Sequence, residues 1–194
     1  VGTDEIVAVA ADVFAELGYA GTTLDRIAAR FGITRQGVLH YFGSKQELFE
    51  AVLEHDRQWA ARSALTPADP ERHPLGSLRG YLGSSAEGRR RLRLSHVLEG
   101  EALIGNAVAQ RFVADRSTVV RGHVRARVAE TASRTGLRPG WTEETATDAV
   151  LAVVEGLQTA VLRGDGIDAL DVFDRFVQTI AAGTPATEGA SDAD

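Results

Sequence analysis

The stretch Thr22 to Lys45, TTLDRIAARFGITRQGVLHYFGSK, decides the reading of this chain. It divides into two short helical segments, Leu24 to Phe31 and Arg35 to Tyr41, separated by Gly32-Ile33-Thr34. Two helices that cross steeply need a small residue at the contact and a residue tolerant of positive φ at the turn, and Ala28 and Gly32 meet those demands. Ile27, Phe31, Ile33 and Val38 supply an apolar seam. Phe14 and Leu17 are expected as its floor, and Phe42, Leu48 and Phe49 close it. The same pattern also suits a three-helix core with no nucleic-acid role.

The second segment favours DNA. Thr34 is a good N-cap, and Arg35 and Gln36 fall on the first turn, the part of a recognition helix that meets base edges. Arg can bridge guanine O6 and N7, and Gln can bridge adenine N6 and N7. Gly37 weakens a short helix by about 1 kcal/mol relative to Ala, a cost that close approach to DNA would explain. His40 and Tyr41 can donate to phosphates, although Tyr41 can equally pack. Ser44-Lys45-Gln46-Glu47 reads as a capping box opening a further helix to about Ala61. Lys45 is the lone lysine against twenty arginines. At a helix N-terminus its charge opposes the dipole, a conflict that a DNA phosphate would relieve.

Charge distribution agrees. The chain of 194 residues carries a formal charge of −6, but Thr23 to Lys45 carries +3, leaving −9 on the remainder. A basic island on an acidic body fits a localised polyanion contact. With no cysteine, disulfides and thiolate metal sites are excluded. No apolar run of membrane length and no signal-peptide core is read, so a soluble cytoplasmic protein without membrane contact is expected.

Elsewhere the pattern is helical throughout. Ile6, Val9, Ala10, Val13, Phe14 and Leu17 recur at helical spacing, with Gly18 as a stop. Pro67, Pro70 and Pro74 mark a linker. Helices follow near Leu75 to Leu82, Glu87 to Leu98 and Asn106 to Thr135. Thr142 caps another that ends at Arg163-Gly164, and the last covers Asp168 to Ala182. The expected fold is all-α, with about nine helices. A three-helix DNA-binding domain with a helix-turn-helix spans 1–45 and extends into a connecting helix, 45–61. A larger helical domain for effector binding and dimerisation spans 62–182, ahead of a disordered tail, 183–194.

The run from Phe14-x-x-x-Gly18-Tyr19 through TTLDRIAARFGITRQGVLHYFGSKQEL resembles the N-terminal domain of the TetR family of transcriptional repressors. EGLQTAVLRGDGIDALDVFDRF is similar to the last two helices of many members. The resemblance implies a homodimer on palindromic, double-stranded operator DNA, released when a small-molecule effector enters the C-terminal domain. By motif position it implies that Thr34, Arg35, Gln36 and Gly37 face bases or nearby backbone, and that Thr23, His40, Tyr41 and Lys45 hold phosphates. Where the family often has Tyr this chain has Leu39, which removes one phosphate-bonding hydroxyl. The basic arm of many members has no counterpart in Val1-Gly2-Thr3-Asp4.

Ligand-pocket candidates are polar groups on apolar helical faces: His55, Trp59, His96, Glu99 and Gln158. Each has a packing or ion-pair alternative, and His96 with Glu99 lacks the further ligands a metal needs, so no metal or other cofactor is expected. Arg89, Arg90, Arg91 and Arg93 could meet an acidic effector or form an ion-pair strip. For a dimer, Leu151, Val154, Leu157 and Val161 make one stripe, and Val172, Phe176 and Ile180 another, which would build a four-helix interface. Purely intramolecular packing is the alternative. No nucleophile elbow, phosphate-binding Gly loop or H-E-x-x-H occurs. A helical enzyme or an interaction module without sequence-specific DNA binding is the rival class.

Overall fold

A computed structural model describes residues 2–64, 74–82 and 85–182, without the side chains of 59–64 and Ala86. The proline-rich stretch read as a linker lies largely outside them, as do Trp59's side chain and the tail from 183. The described residues form α1 (Thr3–Gly21), α2 (Leu24–Phe31), α3 (Arg35–Tyr41), α4 (Lys45–Ala64), a 3-10 helix (Pro74–Leu82), α5 (Ala86–Leu103), α6 (Ala107–Arg134), α7 (Glu143–Arg163) and α8 (Ala169–Ile180). Their one β feature is an isolated bridge, Leu137 to Ala181.

Side-chain caps set most helix starts, each satisfying amide donors that the first turn leaves open. Thr23, Thr34, Ser85, Asn106, Thr142 and Asp168 accept from the first turns of α2, α3, α5, α6, α7 and α8. At α4 the Ser44 hydroxyl accepts from the Glu47 amide at 3.1 Å. Glu47 reaches one residue further back than a standard capping box, to the Gly43 amide at 3.1 Å.

Two apolar cores result. The first gathers Ile6, Val13 and Phe14 of α1, Ile27 of α2, Val38 of α3 and Leu48, Phe49 and Val52 of α4. Leu94 and Leu98 of α5 and Ala109 and Phe112 of α6 complete it. The second is built from the 3-10 helix, α6, α7 and α8 around Phe173, Val150, Val128 and Ile180. The cores therefore do not divide at residue 62, because α5 lies along α1 and carries the body into the base of the N-terminal unit.

Three expectations change. Leu17 is 38% exposed and is not the floor of the seam. Gly18 breaks α1 at φ 71, ψ 176, and the turn beyond the break brings the Tyr19 ring to 4.8 Å from Phe49, itself 4.8 Å from Phe14. Within the proposed dimer stripes, Val154, Leu157 and Ile180 are buried in the protomer's own second core. Leu151, Val161 and Phe176 are half-buried against it, and Val172 alone is well exposed, at 42%. Finally, α7 is long and apolar enough, by length and composition, to cross a membrane. Its Val150, Val154 and Leu157 lie in the second core, the placement of a core helix.

Candidate nucleic-acid interface

The turn between α2 and α3 is closed by the amides of Gly32 and Ile33, which both donate to the Ala28 carbonyl at 2.9 and 3.0 Å. Gly32 sits at φ 83, the left-handed conformation that glycine adopts without a Cβ penalty. Val38 is fully buried and roots α3 in the first core. That anchoring fixes which side of α3 faces outward. Thr34, Arg35, Gln36, His40 and Tyr41 are exposed together, and Thr23 is exposed at the start of α2.

The exposed groups are already oriented. Thr34 accepts from the Gly37 amide at 3.1 Å, while its backbone carbonyl accepts from the Val38 amide at 3.2 Å. Arg35 lies 3.5 Å from Asp25, with both side chains more than half exposed. Such a surface pair is worth little energetically and exchanges readily for another anion. The His40 and Tyr41 rings pack edge to face at 5.4 Å. Leu39 packs against the first core, so an apolar residue there serves the fold. A Cβ added at Gly37 would meet nothing nearer than 3.5 Å, from Ile33 and Thr34. The protein itself therefore has room for a side chain at 37.

Lys45 is placed differently from expectation. Its ammonium donates to the Tyr19 carbonyl at 2.9 Å and the Thr22 carbonyl at 3.0 Å, and lies 4.3 Å from the centre of the Tyr19 ring. The carbonyl end of α1 thus relieves the conflict between this charge and the α4 dipole, without a phosphate. Burial, and then the negative charge of Glu50, push the Tyr19 hydroxyl above its ordinary pKa.

Among the described residues, the pocket candidates His55, His96 and Gln158 have separate surroundings. His55 borders a space of about 40 Å³ between α1, α4 and α5. His96 faces Thr159 at 3.2 Å and the Leu92 carbonyl at 3.0 Å, with Glu99 at 4.0 Å. Gln158 is buried and donates to the Tyr81 carbonyl at 2.8 Å; the Tyr81 hydroxyl is 2.7 Å from His123 Nδ1. Tyr81 and His123 were not anticipated, because they lie 42 residues apart and meet only through packing of the 3-10 helix on α6. The arginine run resolves largely into fasteners. Arg90 pairs with Asp12 of α1 at 3.2 Å, and Arg91 pairs with Asp56 of α4 at 2.6 Å in a mostly buried contact. Arg89, Arg90 and Arg93 also border a groove of about 240 Å³ beside Asp12 and Glu16.

Residues 6–52, which hold most of α1, all of α2 and α3 and the start of α4, match the profile described as "Bacterial regulatory proteins, tetR family". That N-terminal segment is similar to the DNA-binding domain of TetR-family regulators. The chain is 28% identical to the HTH-type transcriptional regulator RutR of Escherichia coli (strain K12) over 130 residues, 62% of this chain and 60% of RutR. It is 33% identical over 84 residues to the HTH-type transcriptional repressor KstR2 of Mycolicibacterium smegmatis, 43% of this chain and 41% of KstR2. The matches thus span 60% or less of these relatives' own lengths. The relatives are named as regulators rather than enzymes. Among solved structures, a TetR-family transcriptional regulator from Agrobacterium tumefaciens superposes with a TM-score of 0.76 at 20% identity, covering 93% of this chain and 97% of that one. A transcriptional regulator from Saccharomonospora viridis, solved in complex with choline, gives 0.76 at 20% identity, covering 93% and 98%. These likenesses show that the TetR fold extends over the C-terminal helices as well.

Proposed function

We propose that this chain is a TetR-family transcriptional repressor that binds a palindromic operator as a homodimer and leaves it when a small molecule occupies the C-terminal body. The observation that carries the reading is the outward row Thr34, Arg35 and Gln36 on the first turn of a helix anchored by buried Val38. Arg35 and Gln36 read base edges, Gly37 lets the α3 backbone approach the groove, and Thr23, His40 and Tyr41 hold phosphates. Lys45 serves the same surface from behind, by fixing the turn that presents Thr23. It adds little phosphate contact of its own, because two of its three donors already have carbonyl partners.

Dimerisation uses the outer faces of α7 and α8, where Val172 and the half-exposed Phe176, Leu151 and Val161 remain available. Two reading helices repeated about 34 Å apart would then meet successive major grooves. Ligand response is supported by the choline complex of the structural neighbour and by polar groups set inside this chain's own apolar body, Gln158 with Tyr81 and His96 with Thr159. The protein would be located in the cytoplasm, with its DNA.

The test is selection from a randomised duplex library by the full chain, followed by titration of the selected duplex at several salt concentrations. A palindromic consensus and a steep salt dependence are expected. Arg35→Ala should relax one position of each half-site at a cost of about 1–3 kcal/mol. Failure to enrich any sequence would overturn the repressor reading and favour an interaction module.

A further inference from the structure

The break at Gly18 leaves the last turn of α1 with backbone groups that the helix cannot satisfy internally. Two other helices satisfy them. From α5, Glu101 Oε1 accepts from the Ala20 amide at 3.0 Å. From α4, Lys45 donates to the Tyr19 and Thr22 carbonyls. The Thr22 hydroxyl, buried, closes the set by donating to the Gly18 carbonyl at 2.6 Å. Room for the carboxylate depends on the glycine: a Cβ at position 18 would collide with Glu101 Oε1.

Glu101 also looks the other way. Its Oε2 accepts from Asn106 Nδ2 at 2.8 Å, and its backbone carbonyl accepts from the Asn106 amide at 3.0 Å. Asn106 caps α6, its Oδ1 accepting from the Val108 and Ala109 amides at 3.0 and 3.3 Å. One carboxylate therefore joins the start of α6, a long helix of the body, to the end of α1. That end runs through Thr22 and Thr23 directly into α2.

We propose that Glu101 is a positioning residue for DNA binding, the latch through which the start of α6 sets the orientation of the α2–α3 reading head. The proposal rests on the repressor reading for its consequence but not for its geometry. A movement of the α6 N-terminus against α5 pulls on Oε2 and is passed by Oε1 to Ala20. Lys45 then carries it to α4. Separating these groups is the step by which a ligand in the body would release the head. No sequence spacing suggests such a connection, since Ala20 and Glu101 are 81 residues apart.

The absence of cysteine allows clean labelling of the full chain. Spin labels at Ala29→Cys on α2 and Ser117→Cys on α6, both exposed positions, report the distance between head and body. Glu101→Ala removes the latch. Asn106→Asp keeps a good N-cap for α6 but sets a second carboxylate against Glu101. The pair Glu101→Gln with Asn106→Asp exchanges acid and amide, restoring an acceptor for Ala20 and a donor between the two side chains. Distances are read where circular dichroism shows each protein folded, and affinity is read on the duplex selected by the unsubstituted chain. Glu101→Ala and Asn106→Asp should each broaden the distance distribution at least twofold and weaken DNA binding about tenfold. The exchanged pair should recover a narrow distribution and come within threefold of the original affinity. An unchanged distribution in Asn106→Asp, or an exchanged pair no better than Asn106→Asp alone, overturns the latch. If no duplex is selected at all, the repressor reading fails while the distances still decide the latch.

Discussion

Gly37→Ala separates the needs of the fold from those of the DNA. Position 37 lies in the first turn of α3, three residues after the Thr34 cap, with its amide bonded to the Thr34 hydroxyl at 3.1 Å. An added Cβ finds only ordinary contacts at 3.5 to 3.6 Å, with Ile33 and Thr34. Inside the protein the methyl therefore costs nothing, and replacing glycine in a helix gains about 0.8–1 kcal/mol. For a chain of 194 residues that gain corresponds to a rise in Tm of about 2–4 °C. At the interface the sign reverses. A methyl forced into a close-packed contact costs about 1–3 kcal/mol, which is a loss of about 5- to 150-fold in affinity. Thermal unfolding by circular dichroism and fluorescence anisotropy on the selected duplex measure the two effects on one preparation. A variant that is more stable and binds DNA as well as before would refute close approach at residue 37. A lower Tm would refute the packing argument instead.

The other expectations concern Lys45, the dimer and acid stability. Lys45→Ala removes a charged donor from two carbonyls and should lower stability by about 1–3 kcal/mol, while the slope of log affinity against log salt stays within half a unit. A slope flatter by about one unit, with stability unchanged, would return Lys45 to a phosphate. Val172→Glu, on an exposed face, should leave the unfolding of the monomer within about 0.5 kcal/mol yet raise the dimer dissociation constant at least tenfold by sedimentation velocity; no change would remove α8 from the interface. Glu87 is held below the usual carboxylate range, first by its hydrogen bond from Arg91. The unfolded chain then binds the proton more readily, so the stabilisation is complete above about pH 4.3 and is lost as pH falls through the lower folded value. Glu87→Gln should accordingly flatten the stability curve on its acid limb, and an unaltered curve would show that the Arg91 contact does not persist in solution.

What the sequence disclosed was what neighbours in the chain decide. Thr34 three residues before Gly37, Thr142 three before Thr145, and Gly32 and Gly164 in left-handed turns are all local devices, and each stands where its residue type places it. The outward row of α3 was legible for the same reason, since Val38 fixes the inward side. Contacts made across the fold were not legible. Glu101 reads in the sequence only as a carboxylate near His96 and Glu99, Asp56 gives no sign that it buries Arg91, and the two stripes holding Val154 with Leu157 and Ile180 fit a partner's helices as well as the protomer's own core. An apolar face records that it must be covered, not by what.

The single lysine shows how one anomaly can have two candidate partners. A cation at the first turn of α4 does oppose the helix dipole, and something negative must compensate. Sequence offers only DNA for that purpose. The fold offers the broken end of α1, whose carbonyls converge on one point from two residues, Tyr19 and Thr22, three apart. A compact ammonium on a flexible stem can donate to both at once, whereas a planar guanidinium holds its donors in a rigid fork less suited to the task. The preference for Lys here is therefore a requirement of the joint between α1 and α4. Because Glu101 satisfies the amide side of the same joint, the residues that hold the reading head in register are the ones that DNA need never touch.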